Sequence, residues 1–484
     1  MELLNLLAGI EPISLFGQTF DVSLNWIGRL ISWLIKGVGT VGIGIIIFSL
    51  CLKLVVLPFD VYQRISMRKQ NQKMKEQKER MEKLQKQYAN DKQMYNQKLM
   101  EMYKENGISM FSSCLPMILS MVIFIVAINA FNAYAQYSAV DNYNQMVGAY
   151  QTAIQAYCPD LDDDNVSFGE NTIIIKGVGE DDKNAYLYYE IPNSNALTAE
   201  TDKETLHAYI NEYLNNNTVK CYVDADKVKN GAIWTEIQAT LSENADETAT
   251  ANAIRNYFIG KGQKAVSAYY TAENGVGSQT KFLWIKNIWM TDASYKHPVC
   301  DYETFEMEAK REEFRVGGDD VSYSKIGEKT DVYTKTAYDT ITGGLTVQKG
   351  QANGYFILIA LSIGTILLQQ FVTMRSQKEQ QQFSTVDGQG ASQQKMMIVM
   401  MTGMFAIFSF MYSSAFSIYM ITSNIFSLLS TLIINKVVDM KLDKEANTVT
   451  TAKMDNRRLS RIEAAKQAGK ASAQTSKEKK NKEE

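Results

Sequence analysis

The sequence predicts an all-α polytopic membrane core of five transmembrane helices with a cytoplasmic helical hairpin, and an inserted extracytoplasmic α+β domain. Three observations predict it. Long apolar runs recur along a chain of 484 residues. A loop rich in Lys and Arg follows the first run. A segment between Ala139 and Lys349, with 33 acidic against 19 basic residues, separates the second run from the third. The net charge of −3 is therefore the sum of an acidic segment and a basic remainder of the chain.

The apolar runs set the number of spans. About 20 apolar residues cross the hydrocarbon core as a helix, because lipid forces every backbone group to bond within its own segment. The runs cover residues 39–59, 114–131, 354–374 and 396–438. The last run is about twice one span, and its most polar point is residues 412–414, which predicts a tight helical hairpin there. This gives five spans.

These spans divide the chain into ten predicted segments. They are an N-terminal outer segment with an interfacial amphipathic helix (1–38), the first span (39–60), a cytoplasmic helical hairpin (61–110), the second span (111–133), an extracytoplasmic acidic insert domain (134–351), the third span (352–374), a cytoplasmic loop (375–395), the fourth span (396–412), the fifth span (413–438) and a basic cytoplasmic tail (439–484).

Basic residues predict the orientation, because short cytoplasmic loops are enriched in Lys and Arg. Residues 61–110 contain twelve basic and six acidic residues, which puts this loop in the cytoplasm, and the acidic insert then falls outside. Arg29 and Lys36 oppose this orientation, but the larger basic loop outweighs them. We expect a multi-pass protein of the bacterial inner membrane with its N-terminus outside and its C-terminus inside.

The N-terminal residues predict no cleavable signal peptide, since residues 1–20 contain no Lys or Arg. From Leu24 to Ile35, apolar residues recur at helical spacing beside Trp26 and Trp33. This pattern favours an interfacial helix on the outer face. An N-terminal extension of the first span is a close alternative.

The cytoplasmic loop from Val61 to Glu105 lacks Pro and Gly and breaks only near residues 88–91, which predicts two helices folded into a hairpin. Methionine side chains adapt to many shapes, so the sparse apolar residues permit transient recruitment of apolar clients. Packing between the two helices is the alternative role. The residues are Met74, Met81, Leu84, Met94, Leu99 and Met102.

Cysteine and histidine are too few and too scattered to indicate a cofactor, a metal site or a catalytic site. The chain has five cysteines and two histidines, with no CxxC motif. Outside the membrane, Cys158, Cys221 and Cys300 allow at most one disulfide. We therefore expect no covalent catalysis, no metal and no cofactor.

Lys53 is the one ionisable residue well within a predicted span, where a charge costs about 2.5–3.5 kcal/mol near the bilayer centre. It either extends to the cytoplasmic interface or faces a wet cavity inside the bundle, where its charge attracts a carboxylate. Other polar residues of the spans permit a half-depth polar groove with Lys53, although each also fits helix–helix packing. They are Ser49, Ser120, Gln369, Gln370, Thr402, Tyr419 and Asn424.

Four stretches resemble the YidC-type membrane protein insertases, the family that includes the Oxa and Alb proteins. They are the run from Lys53 to Pro58, the loop with Tyr88-Ala89-Asn90-Asp91 leading to Cys114-Leu115-Pro116, the segment Phe282-Leu283-Trp284-Ile285 before a span that holds Gln369-Gln370, and Tyr419 with Asn424-Ile425-Phe426-Ser427. The resemblance covers roughly residues 24–131 and 282–438. In that family the charged residue of the groove is usually arginine. Lys53 keeps the positive charge but lacks the planar guanidinium group, which binds a carboxylate through two hydrogen bonds.

The resemblance implies a membrane protein insertase and chaperone that takes hydrophobic segments of nascent membrane proteins through a cytoplasm-open polar groove and releases them sideways into the bilayer. It implies client chains and lipid as partners, with a Sec-type translocon and, through the basic tail, a ribosome as further candidates, and no DNA. Two other classes remain open. A membrane-anchored receptor or adhesion protein would act through residues 134–351, and a small transporter would need internal repeats, of which we see none.

Overall fold

The computed structural model describes residues 10–17, 19–24, 26–105, 111–178, 182–243, 245–310, 313–316, 319–322, 331–376, 390–434, 436–437 and 440. The chain forms two compact units. The first contains Met1–Leu50, Val122–Ile366 and Met400–Thr422. The second contains Cys51–Met121, Leu367–Val399 and Ser423–Glu484.

Four helical segments in the described part of the chain are long and apolar enough to cross a membrane: Val41–Tyr62, Val122–Gln155, Ile357–Arg375 and Ser414–Ile434. A shorter apolar segment, Thr402–Met411, ends the helix before the last of them. The core is therefore a helical membrane core. Its fifth span, and hence the count of five, stays a prediction.

The helices follow one another along most of the chain. They are α1 (Trp26–Val38), α2 (Val41–Glu76), α3 (Lys78–Gln87), α4 (Lys92–Glu105), α5 (Phe111–Gln155), α6 (Lys203–Asn216), α7 (Ala225–Asn230), α8 (Ile233–Gln238), α9 (Glu247–Thr271), α10 (Val276–Gln279), α11 (Tyr302–Ala309), α12 (Lys335–Ile341), α13 (Thr346–Gly350), α14 (Ile357–Ser376), α15 (Gly390–Met411) and α16 (Ser414–Ile434). Short 3₁₀ turns lie at Asp163–Asn165, Asp331–Tyr333 and Thr342–Gly344.

Two antiparallel sheets lie in the first unit, and each takes one strand from the N-terminal segment. The strands are β1 (Ile13–Leu15), β2 (Asp21–Val22), β3 (Val166–Phe168), β4 (Thr172–Ile175), β5 (Leu187–Pro192), β6 (Val219–Val223), β7 (Glu313–Val316) and β8 (Asp319–Ser322). The five-stranded sheet has the order β1-β6-β5-β4-β3 and the three-stranded sheet has the order β2-β7-β8. In the first sheet Ile13 pairs with Cys221.

The second half of α5 is the central helix of the insert. Val140, Tyr143, Val147, Tyr150 and Ile154 are buried in its main apolar core. Their spacing of three and four residues puts them on one helical face, which explains why α5 continues far past the membrane-spanning length. The helix predicted as a span over 111–133 therefore runs unbroken from Phe111 to Gln155.

Three other expectations differ from the structure. The sequence of residues 232–259 predicts one helical stretch, but in the structure α8 ends at Gln238 and α9 begins after Asp246, whose carboxylate caps it by accepting the Ala249 N–H. The helix of the first span continues through Pro58 to Glu76, so it covers the start of the predicted hairpin. The N-terminal outer segment, predicted as a segment of its own over residues 1–38, supplies β1 and β2 to the sheets of the insert.

The helix predicted near residues 24–35 is separate from the first span. α1 ends at Val38, and Gly39 follows with φ +79°, a left-handed conformation that favours glycine and breaks the helix before α2. Ile31 and Ile35 are buried, whereas Trp26 and Trp33 are exposed. An apolar face with two exposed tryptophans suits the interfacial role predicted for this segment.

Candidate functional site

The second half of α16 buries its polar residues and exposes most of its apolar ones, whereas residues 414–420 at its start are buried on all sides. The buried polar residues recur at three- and four-residue spacing, which places them on one side of the helix. They are Ser417, Ser423, Asn424, Ser427, Ser430 and Thr431. The exposed side carries Ile425, Leu429, Leu432 and Ile433. Polar inside and apolar outside is the pattern of a helix whose outer side faces lipid.

The hydroxyl groups on this face differ in how their hydrogen bonds are satisfied. Ser430 Oγ and Thr431 Oγ1 both donate to the Ser427 carbonyl oxygen, at 3.0 and 2.5 Å. By contrast, Ser417 Oγ and Ser423 Oγ are buried without a hydrogen-bond partner among the described residues. An unpaired buried hydroxyl costs about 1–3 kcal/mol, so a polar group brought to this face would be stabilised.

Lys53 lies on α2, within the apolar stretch Val41–Tyr62, and its side chain is half-buried. Leu54 and Val55 beside it are exposed. Asp60, seven residues further along the same helix and therefore two turns away on the same face, is a charge that acts on Lys53. Ser49 lies one turn before Lys53, is fully buried, and donates its hydroxyl to the Ile45 carbonyl at 2.6 Å.

Five of the other predicted groove residues lie on three helices, α14, α15 and α16. Gln369 and Gln370 are half-buried on α14. Thr402 is buried on α15, and its hydroxyl has no hydrogen-bond partner in the described part of the chain. Tyr419 is buried on α16, with its ring 5.6 Å from that of Phe131.

The predicted groove residues are not all described, and those that are described belong to two units. The side chain of Ser120, on α5, lies outside the described residues. Lys53, Gln369, Gln370 and Asn424 belong to the second unit, whereas Ser49, Thr402 and Tyr419 belong to the first. Whether one groove collects these side chains stays a prediction.

The helical hairpin of α3 and α4 has its own small core. Met81, Tyr95, Leu99, Met102 and Tyr103 are buried in it, with Leu84 and Tyr88 packed at its edge. Burial raises the pKa of the Tyr103 hydroxyl to about 12. An ion pair of 3.0 Å between Arg80 and Glu105 joins the two helices at the surface.

This core gives three of the residues predicted for recruitment a packing role, while the recruitment role of the hairpin stays a prediction. Met81, Leu99 and Met102 are buried in this core, which is the alternative packing role weighed for them. Met94 and Met100 are exposed, and Met100 is not among the residues that the sequence predicted for recruitment. The Met74 side chain lies outside the described residues.

A polar network that sequence reasoning missed holds the start of α14. Asp292 is buried, and its carboxylate accepts the backbone N–H groups of Tyr355 at 2.7 Å and Leu358 at 2.6 Å. The Asn353 side chain donates to the carbonyls of Asn287 and Thr291, both at 3.0 Å. The one sequence feature that pointed to this region was the neighbouring aromatic segment with Trp284 and Trp289.

The same segment holds the turn between α15 and α16. Ser414 and Ala415, at the start of α16, donate their backbone N–H groups to the carbonyls of Met290 and Ile288, each at 2.9 Å. The Thr291 hydroxyl donates to the Tyr412 carbonyl at 3.0 Å. Fixed helix ends of this kind set the direction of α14 and α16.

In the part of the chain that the structure describes, no group of three or more His, Cys, Asp or Glu residues is placed to hold a metal ion. The arrangement offers hydroxyls, amides and one lysine. Such groups can bind and orient a chain by hydrogen bonding and charge.

Comparison with known proteins gives a family match over the helical core. The sequence model of the family described as 60Kd inner membrane protein matches residues 33–173 and 277–442. The unmatched gap falls within the insert. No solved structure matches the chain.

Three curated relatives carry the name membrane protein insertase YidC. The protein of Caldanaerobacter subterraneus is 33% identical over 113 residues, which is 23% of this chain and 53% of the relative. That of Fusobacterium nucleatum is 40% identical over 88 residues, or 18% and 41%. That of Clostridium perfringens is 32% identical over 133 residues, or 27% and 53%. The matched regions span about half or less of these relatives.

Proposed function

Because the chain belongs to the 60Kd inner membrane protein family, we propose that it is a membrane protein insertase and chaperone of the bacterial inner membrane. The observation that carries this proposal, beside the family, is the polar face of α16. Ser423, Asn424 and Ser427 are buried on a helix whose opposite side is apolar and exposed. An unpaired buried hydroxyl adds no stability to a helix that serves only as a membrane anchor. In a path for polar flanks, the same hydroxyl can hydrogen-bond the flank.

The proposed mechanism is physical and has no covalent step. A hydrophobic segment with an acidic or polar flank enters a groove open to the cytoplasm, where Lys53 attracts the carboxylate and the hydroxyls of α16 hydrogen-bond the flank. Polar lining shortens the distance that the flank travels through hydrocarbon. Transfer of the apolar segment to lipid supplies the driving force, about 25 cal/mol per Å² of apolar surface. The segment then leaves sideways between spans.

The proposed topology has the N-terminus and the insert outside and the hairpin inside. Pairing of β1 with β6 supports a common side for the N-terminal segment and the insert, because both strands belong to one sheet. Two spans separate them, α2 and the first part of α5, which agrees with an even number of crossings. The basic loop that contains α3 and α4 lies between those spans and so falls on the opposite side.

The hairpin serves as the first contact for clients in this proposal. Its recruiting residues are Met94 and Met100, the exposed methionines of α4, because flexible thioether side chains fit apolar partners of many shapes. Met81, Leu99 and Met102 keep the hairpin folded.

The proposed partners are nascent membrane proteins and the lipid bilayer. A Sec-type translocon is a further proposed partner. The basic tail, predicted over residues 439–484 and almost entirely outside the described residues, is proposed to attract ribosomal RNA or anionic lipid by charge. DNA is not a proposed partner.

A depletion assay tests the proposal. Cells depleted of their own insertase would produce this chain together with a short client that has one hydrophobic segment and an acidic flank. We expect insertion to be restored by the chain. A variant with Ser423→Ala, Ser427→Ala and Ser430→Ala should insert several-fold less of this client.

The matched control carries Ile425→Ala, Leu429→Ala and Leu432→Ala on the exposed side of the same helix. It should insert client as well as the unaltered chain at equal protein level. Failure of the unaltered chain to insert any client would favour a receptor that acts through the insert.

A further inference from the structure

Two cysteines of the first unit lie side by side although they are 63 residues apart in sequence. The sulfur atoms of Cys158 and Cys221 are 3.9 Å apart. Cys158 follows the end of α5 and is half-buried, and Cys221 lies on β6 and is fully buried. The sequence alone gave no reason to choose this pair among the three cysteines of the insert.

The backbone around both cysteines is fixed by hydrogen bonds. The residue before Cys158, Tyr157, accepts the Leu187 N–H at 2.8 Å, which joins the end of α5 to β5. Cys221 is paired with Tyr189 on one side and with Ile13 on the other. The close approach of the two thiols therefore follows from the fold of the sheet and its neighbouring helix.

We propose that Cys158 and Cys221 form a disulfide bond in the protein in its membrane. This inference rests on the outer location of the insert in the proposed function, since disulfides persist outside the cytoplasm. Bonded sulfur atoms lie about 2.05 Å apart, so rotation of the Cys158 side chain must bring them about 1.9 Å closer. Cys300 is left over, with its thiol 3.6 Å from the Tyr338 hydroxyl.

The oxidant in this proposal is an external disulfide, either a small-molecule disulfide or an exported thiol–disulfide exchange protein. The Cys158 thiolate attacks one sulfur of that disulfide and releases the other as a thiol, which forms a mixed disulfide. The Cys221 thiolate then attacks Cys158 and releases the second thiol. The pair loses two electrons and two protons, and the external disulfide gains them.

The order of these two attacks follows from burial. Burial raises the pKa of the Cys221 thiol well above its usual value. Its thiolate is therefore scarce, and an external disulfide has little access to it. The half-buried Cys158 meets the oxidant first, and Cys221 closes the bond.

The disulfide would tie the end of a membrane helix to the sheet that holds the N-terminal segment. α5 ends at Gln155, just before Cys158, and β6 carries both Cys221 and the partner strand of β1. Closing a loop of this length should raise the thermal midpoint by roughly 5–10 °C.

The test counts thiols in the full-length protein. Membranes of producing cells are quenched in acid, free thiols are blocked under denaturing conditions, and the protein is reduced and labelled with maleimide-polyethylene glycol. We expect two labels on the unaltered chain, none on Cys158→Ala, and two on Cys300→Ala. Peptide mapping should find the Cys158 and Cys221 peptides joined, lighter by two hydrogen atoms. Reductant should lower the thermal midpoint of the unaltered chain but not that of Cys158→Ala.

Unlabelled protein from cells would overturn the proposal, and so would labels that persist in Cys158→Ala. A second sample, purified protein incubated with oxidised glutathione, identifies the failed premise. If the bond forms only in the sample with oxidised glutathione, the insert meets no oxidant in cells. If it forms in neither sample, the two thiols cannot come within bonding distance. Insertion measured in the same cells is a separate readout, so loss of the disulfide with normal insertion leaves the proposed function standing.

Discussion

The buried carboxylate of Asp292 accepts the backbone N–H of Leu358 at 2.6 Å, in the first turn of the membrane helix α14. The first N–H groups of a helix have no partner within the helix, and in a buried setting they need one from elsewhere. Asp292 supplies it with one oxygen and uses the other for Tyr355. One side chain of the insert thus fixes where a membrane helix begins.

Loss of this cap should destabilise the protein more than loss of an exposed cap. Asp292→Ala removes two charge-assisted hydrogen bonds in a buried site and should lower the free energy of unfolding by about 2–3 kcal/mol. Asp301→Ala is the matched control, because Asp301 caps α11 from an exposed position, and it should cost about 0.5–1 kcal/mol. Thermal unfolding in detergent measures both, and equal losses would contradict the role given to Asp292.

The buried face of α16 should contact clients. A photoreactive amino acid in place of Ser427 should crosslink to a client arrested during insertion, because Ser427 is on the polar face. The same group in place of Leu429, which is about half exposed on the other face, should crosslink mainly to lipid. Gel analysis of the radiolabelled client measures both. Equal client crosslinking at the two positions would remove the distinction between the faces.

The two classes of hairpin methionine should separate in experiment. Met81→Ala creates a cavity in the small core of α3 and α4 and should cost about 2–5 kcal/mol of packing, so that protease cleaves the hairpin faster. Met94→Ala removes an exposed side chain and should leave the cleavage rate unchanged while it weakens crosslinking of the hairpin to clients. If Met81→Ala weakened crosslinking while its hairpin stayed fully folded, and Met94→Ala did not, Met94 would not be a recruiting residue.

The strand pairing predicts that residues near the N-terminus and residues in the insert react from the same side of the membrane. In a chain with its own cysteines replaced by serine, Glu11→Cys and Ser194→Cys should be labelled by an impermeant maleimide added to intact cells. Lys86→Cys, on the hairpin, should react only after the membrane is opened. All three positions are exposed. Labelling of Lys86→Cys in intact cells would reverse the proposed topology.

The membrane helices were predictable because each needs only local information. A run of about 20 apolar residues is sufficient for a span, and the predicted runs at 39–59 and 354–374 coincide with helices in the structure. The break predicted at residues 88–91 also agrees with the structure, where these residues separate α3 from α4.

Contacts between residues distant in sequence were not predictable. β1 has three residues, too few for a period, and its partner β6 lies about 200 residues away. Asp292 has ordinary neighbours in sequence, and its importance comes only from where α14 begins. For the hydroxyl face of α16, the signal was present in the regular spacing of Ser423, Ser427 and Ser430, but Tyr419 and Asn424 alone were chosen.

A direct test of the role proposed for the charge on Lys53 is insertion of an acidic-flank client in cells depleted of their own insertase. The unaltered chain and Lys53→Arg should both insert the client, because each keeps a cation at this position. Lys53→Ala should insert less, and Lys53→Glu least, because a like charge repels the flank. The four proteins are compared at equal level. Equal insertion by all four would mean that the charge on Lys53 does not attract the flank and that this side chain only reaches the interface.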